Sequence, residues 1–280
     1  MNIKKIYLFL LLLFFLTNCS KNEEKKISVI PEDKIEIQMV DTYREGVKEF
    51  NNNNYLGAAK KFNEAELLFP QSDWAPKAAL MSAYSYFYDD YSNDAIYQLE
   101  RFIKTYPKNE NINYAHYLLA MTYYNNIVDE KKDITPLLQS KSKFLFLIKN
   151  YPNTEYALDA KFKVDLINEM LASKEMYVAK HYIKKRKWIP AINRLKFIVT
   201  DYETTIYVEE ALYRLVEIYY LLGLNGEAKK YASVLGFNYQ SSEWYEESYR
   251  ILNKDYKNPL DEIKKQKKQK IFKKVKSMLK

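Results

Sequence analysis

The sequence predicts an all-α protein in which pairs of helices repeat along the chain. Its 280 residues contain only five glycines and eight prolines, fewer than the many turns of an all-β sandwich would need. A turn motif that opens with an aromatic residue recurs five times, and a helical pattern of apolar residues precedes each copy. A single helix pair cannot bury its apolar face, so stacked pairs are expected to share a core and form a curved solenoid.

The first nineteen residues have the organisation of an export signal. Lys4 and Lys5 precede an apolar run over residues 6–16, which is too short to cross a bilayer because a spanning helix needs about 20 apolar residues. Cys19, the only cysteine in the chain, follows this run closely. The sequence therefore predicts a signal peptide over residues 1–18.

The end of this signal, Leu16-Thr17-Asn18-Cys19, resembles a bacterial lipobox. The resemblance implies cleavage before Cys19 and attachment of lipid to it, although Asn18 departs from the small residue that is usual there. Two alternatives stay open: an ordinary signal peptide with a chance cysteine, and an uncleaved anchor. Residues 19–38 are mostly polar and charged and are predicted to be a flexible linker between the acylated cysteine and the first repeat.

Five copies of the turn motif divide residues 39–252 into repeats. Each copy opens with an aromatic residue, and successive copies are 37, 45, 51 and 37 residues apart; the five residues are Phe69, Tyr106, Tyr151, Tyr202 and Tyr239. Before each copy stand a small, a large and an apolar residue, at steps of four and three that keep all three on one helical face. These sets are Ala58, Phe62 and Ala65; Ala95, Leu99 and Phe102; Ser140, Phe144 and Leu147; Ala191, Leu195 and Ile198; and Ala228, Ala232 and Leu235.

The helix before each of these sets carries a second, independent pattern. In four of the five units a small or modest residue is followed three positions later by tyrosine, and Gly46 takes the small position in the first unit; the four pairs are Ala83 and Tyr86, Ala120 and Tyr123, Ala179 and Tyr182, and Val216 and Tyr219. The combined pattern resembles five tetratricopeptide repeats over residues 39–252. Extra residues in the third and fourth units are expected to lengthen helices or loops.

The tetratricopeptide resemblance also implies a peptide groove. In such repeats fixed positions of the first helix line the concave surface, and on that register Tyr84, Tyr88, Tyr117 and Tyr124 lie there. These side chains are a candidate groove for an apolar or aromatic peptide segment. The alternative is that the 27 tyrosines of the chain reflect codon bias and ordinary packing.

No motif in the sequence points to catalysis, a metal or a cofactor. The chain has neither a glycine-rich phosphate loop nor a His-Glu-x-x-His zinc motif. His116 and His181 are its only histidines, and both fall within predicted helices, where a structural role is the usual one. We therefore predict a protein that is not an enzyme and binds no cofactor, while a carboxylate pair in a cleft stays open as an alternative.

The net charge of +8 comes mainly from the C-terminal tail, residues 253–280. Residues 261–280 contain nine lysines and two acidic residues, whereas the repeats before the tail are close to neutral. Because the basic charge is confined to one tail of an exported chain, nucleic acid is not expected as a partner. The tail is predicted to be disordered or to form a basic amphipathic helix that binds anionic lipid or an acidic protein surface.

The lipobox, the short linker and the five repeats together resemble the BamD family, the lipoprotein subunits of the outer-membrane β-barrel assembly machine. Residues 72–75 (Ser-Asp-Trp-Ala) and 234–239 (Val-Leu-Gly-Phe-Asn-Tyr) are similar to the alphaproteobacterial members, whereas Glu203 and Gln240 stand where a proline is usual. The resemblance implies an assembly factor anchored by lipid on the periplasmic face of the outer membrane. Its implied partners are the POTRA domains of BamA, other Bam lipoproteins and unfolded outer-membrane proteins.

The same resemblance implies a role for Arg194 in the fourth repeat. It matches the family's arginine in an Asn-Arg pair, where that residue engages an acidic side chain of BamA. The alternative is a surface arginine that pairs with a nearby acid of its own chain, such as Asp201 or Glu203. A different function class also stays open, a periplasmic repeat adaptor for cell-envelope or division enzymes, although such adaptors usually begin with a coiled coil and no sustained heptad occurs here.

Overall fold

The computed structural model describes residues 32–127 and 133–253, and these residues are entirely helical apart from their connections. Within them lie eleven α-helices: α1 (Glu32–Asn51), α2 (Tyr55–Leu68), α3 (Ala75–Tyr88), α4 (Ser92–Thr105), α5 (Ile112–Asn125), α6 (Thr135–Asn150), α7 (Glu155–Lys184), α8 (Trp188–Asp201), α9 (Tyr207–Leu221), α10 (Asn225–Asn238) and α11 (Glu243–Leu252). The five predicted helix pairs are confirmed as α1–α2 through α9–α10, and α11 follows the last pair. The predicted signal peptide, Cys19 and residues 254–280 of the tail lie outside the described residues.

The repeats begin earlier than the sequence pattern suggested. Helix α1 starts at Glu32, so it includes the last seven residues of the predicted linker, 19–38. Met39 is fully buried in a core cluster with Ala65 of α2 and Ala78 of α3. No helix in the described ranges is long and apolar enough to cross a membrane.

The core consists of the small, large and apolar residues that the repeat pattern singled out. Of these fifteen residues all but Ala232 are buried, and Ala232 still packs against the C-terminal core cluster. The small positions let paired helices approach closely, as Gly46 shows. A Cβ atom at Gly46 would lie 2.8 Å from the Phe62 ring, so a larger residue there would push α1 and α2 apart.

Helix α7 is 30 residues long, about twice the length of most of the others, and belongs to two parts of the core. Ala160 and Val164 in its first half pack with α5 and α6, whereas Met176 and Ala179 in its second half pack with α8 and α9. The extra residues of the fourth repeat thus extend a helix, as the sequence predicted.

The first helix of each pair lies on the inner side of the stack. Helices α5, α7, α9 and α11 each contact the first helix of the preceding pair, and the Phe50 ring of α1 contacts the Tyr84 ring of α3. The second helices contact mainly their own partner and the next first helix. This arrangement brings the first helices closer together than the second ones, which is the geometry of a concave surface lined by first helices.

Four turns inside the helix pairs share one backbone geometry. Each has three residues, and the middle one has a positive φ; the middle residues are Asn53 (φ 61°), Asp90 (57°), Arg186 (53°) and Gly223 (75°). The amide after each middle residue donates to the carbonyl five residues earlier, as in the bond from the Leu224 amide to Tyr219 O at 2.9 Å. This is the Schellman arrangement that ends many helices.

Three of the turns between pairs use the hydroxyl group of a side chain as a cap. The Thr154 hydroxyl accepts from the Ala157 amide, and the Ser242 hydroxyl accepts from the Trp244 amide. Ser72 acts in the same way towards Ala75 at 3.1 Å. Each cap satisfies a backbone donor that the first turn of a helix leaves unpaired.

One charged pair ties the first two repeats together. Glu66 of α2 is 4% exposed, and both its carboxylate oxygens accept from Arg101 of α4, with Nη1 at 2.7 Å from Oε1. The Tyr106 hydroxyl also donates to Glu66 Oε1 at 2.9 Å. Burial, followed by the bond to Glu66, raises the pKa of Tyr106 to about 12, so Tyr106 stays a donor at neutral pH.

Candidate partner-binding sites

The predicted groove residues fall into two groups on the inner surface. Tyr84 and Tyr88, near the end of α3, lie 5.9 Å apart between ring centroids, and both contact the Phe50 ring of α1. Tyr84 is half-buried against the core, whereas Tyr88 is 53% exposed. Tyr88 is therefore the predicted groove residue with the most surface available to a ligand.

Tyr117 and Tyr124 form the second group, on α5. Both rings contact Phe144 of α6, at 6.2 and 6.4 Å, and both are half-buried. The Tyr117 hydroxyl donates to Asp159 of α7 at 2.7 Å. The Lys163 ammonium lies over the Tyr124 ring, 5.0 Å from its centroid.

Two tyrosines that the sequence analysis missed connect these groups. Tyr114 lies one turn before Tyr117 and contacts the Tyr156 ring of α7 at 5.5 Å, while Tyr156 contacts the Tyr117 ring at 5.2 Å. On its other side Tyr114 lines an open cavity of about 340 Å³ together with Tyr84. Its position three residues before Tyr117, on the same helical face, was the sequence signal that could have found it.

The result is a row of aromatic side chains along the inner surface, from α1 to α7, in which Tyr84 and Tyr114 are joined by the cavity that both line and not by a ring contact. We call it the aromatic row, and it consists of Phe50, Tyr84, Tyr88, Tyr114, Tyr117, Tyr124 and Tyr156. Burial raises the pKa of Tyr114 to about 12, and burial and the bond to Asp159 raise the pKa of Tyr117 as well. These phenols are uncharged at neutral pH, so the row offers apolar ring area with a few hydroxyl groups, as suits an aromatic peptide segment.

Arg194 lies on α8, on the opposite, outer side of the stack. Its Nη1 donates to both carboxylate oxygens of Glu175, at 2.9 and 3.2 Å, and its side chain is 46% exposed. Arg194 thus pairs with an acid of its own chain, as the alternative expected, but the acid is Glu175 of α7 and neither of the two examples, Asp201 and Glu203. The sequence could not show this, because the pairing depends on how α7 packs against α8.

The Arg194 guanidinium keeps unused donors. Its Nε and Nη2 atoms donate no hydrogen bond to any residue in the described ranges. Those two nitrogens could therefore bind a second carboxylate. Arg194 borders an open cavity of about 370 Å³ lined by Tyr182, Pro190, Asn193 and Phe197. An arginine beside exposed apolar surface is a frequent composition for the centre of a protein interface.

The two histidines occupy structural positions. His116 packs between the Phe146 and Tyr151 rings, with centroids 4.7 and 5.8 Å away, and its burial lowers its pKa. His181 contacts the ring of Tyr182. Among the described residues, no group of three or more His, Cys, Asp or Glu side chains could hold a metal ion.

Comparison with known proteins places the chain in a family. The model of the YfiO family, described as an outer membrane lipoprotein, matches residues 35–235. The outer membrane protein assembly factor BamD of Rickettsia prowazekii is 43% identical over 77% of this chain and 86% of its own length. BamD of Caulobacter vibrioides is 37% identical over 84% of this chain and 76% of its own length, and BamD of Neisseria meningitidis serogroup A is 32% identical over 71% and 79%.

Solved structures give only a weak similarity. The type IV pilus biogenesis factor PilW aligns with 74% of this chain and 96% of its own, at 15% identity and a TM-score of 0.34. That value is too low to support an inference. The family model and the three assembly factors agree with one another, and they span most of the helix pairs. The chain therefore belongs to the YfiO family of outer membrane lipoproteins, which includes BamD.

Proposed function

We propose that this chain is an outer-membrane protein assembly factor that acts by binding other proteins rather than by catalysis. Its relatives over most of its length carry this function in their names. The observation that supports it most directly is the pair of surfaces on opposite sides of one stack. The aromatic row on the inner side suits unfolded outer-membrane proteins, and the surface around Arg194 on the outer side suits a folded partner.

We assign the folded partner as the POTRA domains of BamA, within a complex that includes other Bam lipoproteins. A stack that binds an unfolded outer-membrane protein (the client) on one side and BamA on the other would hold the client close to BamA, which inserts it into the membrane. Depletion of this chain is expected to lower the amount of β-barrel proteins in the outer membrane, measured by quantitative proteomics of purified membranes. Normal β-barrel levels after depletion would contradict the assembly function.

The groove proposal predicts a specific loss of client binding in Tyr88→Ala. Because the Tyr88 ring is 53% exposed, a ligand in the groove can contact it directly. Its removal should weaken binding of the C-terminal segment of a β-barrel protein by about 1–2 kcal/mol, which is roughly 5- to 30-fold in Kd. The measurement is a fluorescence titration, accompanied by thermal unfolding to show that the repeats are intact.

A matched control is Tyr97→Ala on α4, whose tyrosine is 65% exposed on the outer side of the stack. We expect unchanged affinity for this variant. Equal losses for Tyr88→Ala and Tyr97→Ala would show a non-specific effect, and no loss for Tyr88→Ala would exclude this part of the groove.

The anchor proposal concerns Cys19, which lies before the described residues. If cleavage exposes Cys19 and lipid is attached to it, the mature chain is held at the periplasmic face of the outer membrane, because each buried methylene group contributes about 0.8 kcal/mol. Cys19→Ser should then appear in the soluble periplasmic fraction or stay bound through an uncleaved signal, with normal helical content. A mature N-terminus that lacks an acylated Cys19 in mass spectrometry would contradict the anchor.

A further inference from the structure

Three helices of the inner side end at the same edge of the stack. The three-residue turns reverse the chain, so α7, α9 and α11 run in the same direction and end on the same edge. Ile183, Tyr220 and Leu252, which stand at or just before these three ends, pack against one core cluster. The α7–α8 turn, the α9–α10 turn and Asn253, where the described residues end, are therefore neighbours.

The two turns on this edge combine positive charge with exposed apolar side chains. Lys184, Lys185, Arg186 and Lys187 are all exposed, and none pairs with an acidic side chain in the described part of the chain. In the next turn Leu221, Leu222 and Leu224 are 63%, 42% and 50% exposed. We call residues 184–187 and 221–224 the basic edge.

The backbone conformation of Arg186 is a second, independent observation that indicates a function for this turn. The other three turns of this geometry place Asn53, Asp90 and Gly223 at the position with positive φ. Those residue types tolerate the left-handed conformation, whereas a long side chain such as arginine adopts it at a cost. The α7–α8 turn thus keeps a strained cation where its counterparts use favourable residues, and strain of this kind tends to mark functional positions.

We propose that the basic edge rests on a membrane surface that contains anionic phospholipids. Four consecutive cations on flexible stems suit the phosphate groups of a lipid headgroup layer, and the adjacent leucines reach into the boundary between headgroups and acyl chains. Asn253, the last described residue, lies at this edge, and the sequence that follows it is rich in lysine, with nine between residues 261 and 280. The charge is local, because the corresponding α3–α4 turn carries Asp89 and Asp90 instead.

The inference goes beyond the assembly function but rests on the proposed lipid anchor, which would keep the chain at the membrane. Its test uses the full mature protein in vesicles of phosphatidylglycerol and phosphatidylcholine. Because an acylated Cys19 has no free thiol, Leu222→Cys provides a single site for an environment-sensitive fluorophore. We expect a blue shift and quenching by lipids that carry a quencher, and neither effect in vesicles of phosphatidylcholine alone.

Charge variants test the cause. Replacing Lys184, Lys185 and Lys187 by glutamine in Leu222→Cys should lower the partition of the edge onto anionic lipid on the order of 100-fold at low ionic strength. Arg186→Gly should also weaken it, and it should raise the midpoint of thermal unfolding by about 2–4 °C because the strained residue is gone. A shortened chain that ends at residue 259 separates the contribution of the tail from that of the turns.

Ser241→Cys, in the α10–α11 turn on the opposite edge, is the matched control and should show no quenching. Quenching at both sites, or at neither in anionic vesicles, would overturn the proposal, and the second result would leave an acidic protein surface as the partner of this edge. Failure of the anchor is recognised separately, because the parent chain would then take up the label at Cys19 or fail to float with the vesicles.

Discussion

Arg194→Glu is expected to abolish co-purification with BamA while the helical content stays unchanged. In the proposed complex Arg194 holds a BamA carboxylate through the donors that its bond to Glu175 leaves free, so glutamate would replace an attraction by a repulsion. Loss of such a charge pair costs about 2–5 kcal/mol, which is roughly 30-fold or more in Kd. The measurement is affinity purification from detergent-solubilised membranes, followed by a titration with the isolated POTRA domains.

The pairing with Glu175 supplies the control that this variant needs. Arg194→Glu also places two carboxylates together within the chain, so a loss of binding could come from a local rearrangement of α7 and α8. Glu175→Gln removes the internal pair but leaves Arg194 intact, and we expect full BamA binding for it. Replacing the partner acid of BamA by lysine should restore binding to Arg194→Glu. Full binding of Arg194→Glu at moderate salt would show that Arg194 is a surface residue only.

Arg101→Leu is expected to destabilise the first two repeats by about 3 kcal/mol, because it leaves the Glu66 carboxylate buried without its cation. The Glu66 side chain is 5% exposed, and only the Tyr106 hydroxyl would remain as a donor to it. The 30% exposure of the Arg101 side chain lets some water reach the site, which keeps the cost at the lower end of the range for such pairs. Urea unfolding followed by circular dichroism measures the effect.

The matched variant removes both charges. Glu66→Leu combined with Arg101→Leu fills a similar volume and leaves no buried charge, so its stability should be close to that of the parent chain. A stability loss in Arg101→Leu that the double variant does not recover would mean that Arg101 acts through its packing. A loss below about 0.5 kcal/mol would mean that Glu66 is hydrated after all.

The repeat pattern in the sequence determined most of the fold. Helix pairs, their order and their buried residues follow from steps of three and four, because a helix places such residues on one face whatever lies next to it. Fourteen of the fifteen predicted core residues of the second helices are buried for this reason. The sequence pattern did not predict that α1 starts at Glu32, because the first turns of this helix lie before the repeat pattern begins and are mostly polar.

Contacts between residues far apart in the chain were decided by tertiary structure alone. The Glu175 partner of Arg194 depends on how the two helices of one pair are rotated against each other. The Glu66–Arg101 pair and the place of Tyr156 in the aromatic row depend on how neighbouring pairs are rotated and spaced. The two halves of the 30-residue helix α7 pack into two different core clusters, and no local pattern encodes the resulting contacts. In the same way, the lysines at 184–187 and the leucines at 221–224 are visible in the sequence, but only the stacking of α7 and α9 makes them neighbours on one edge.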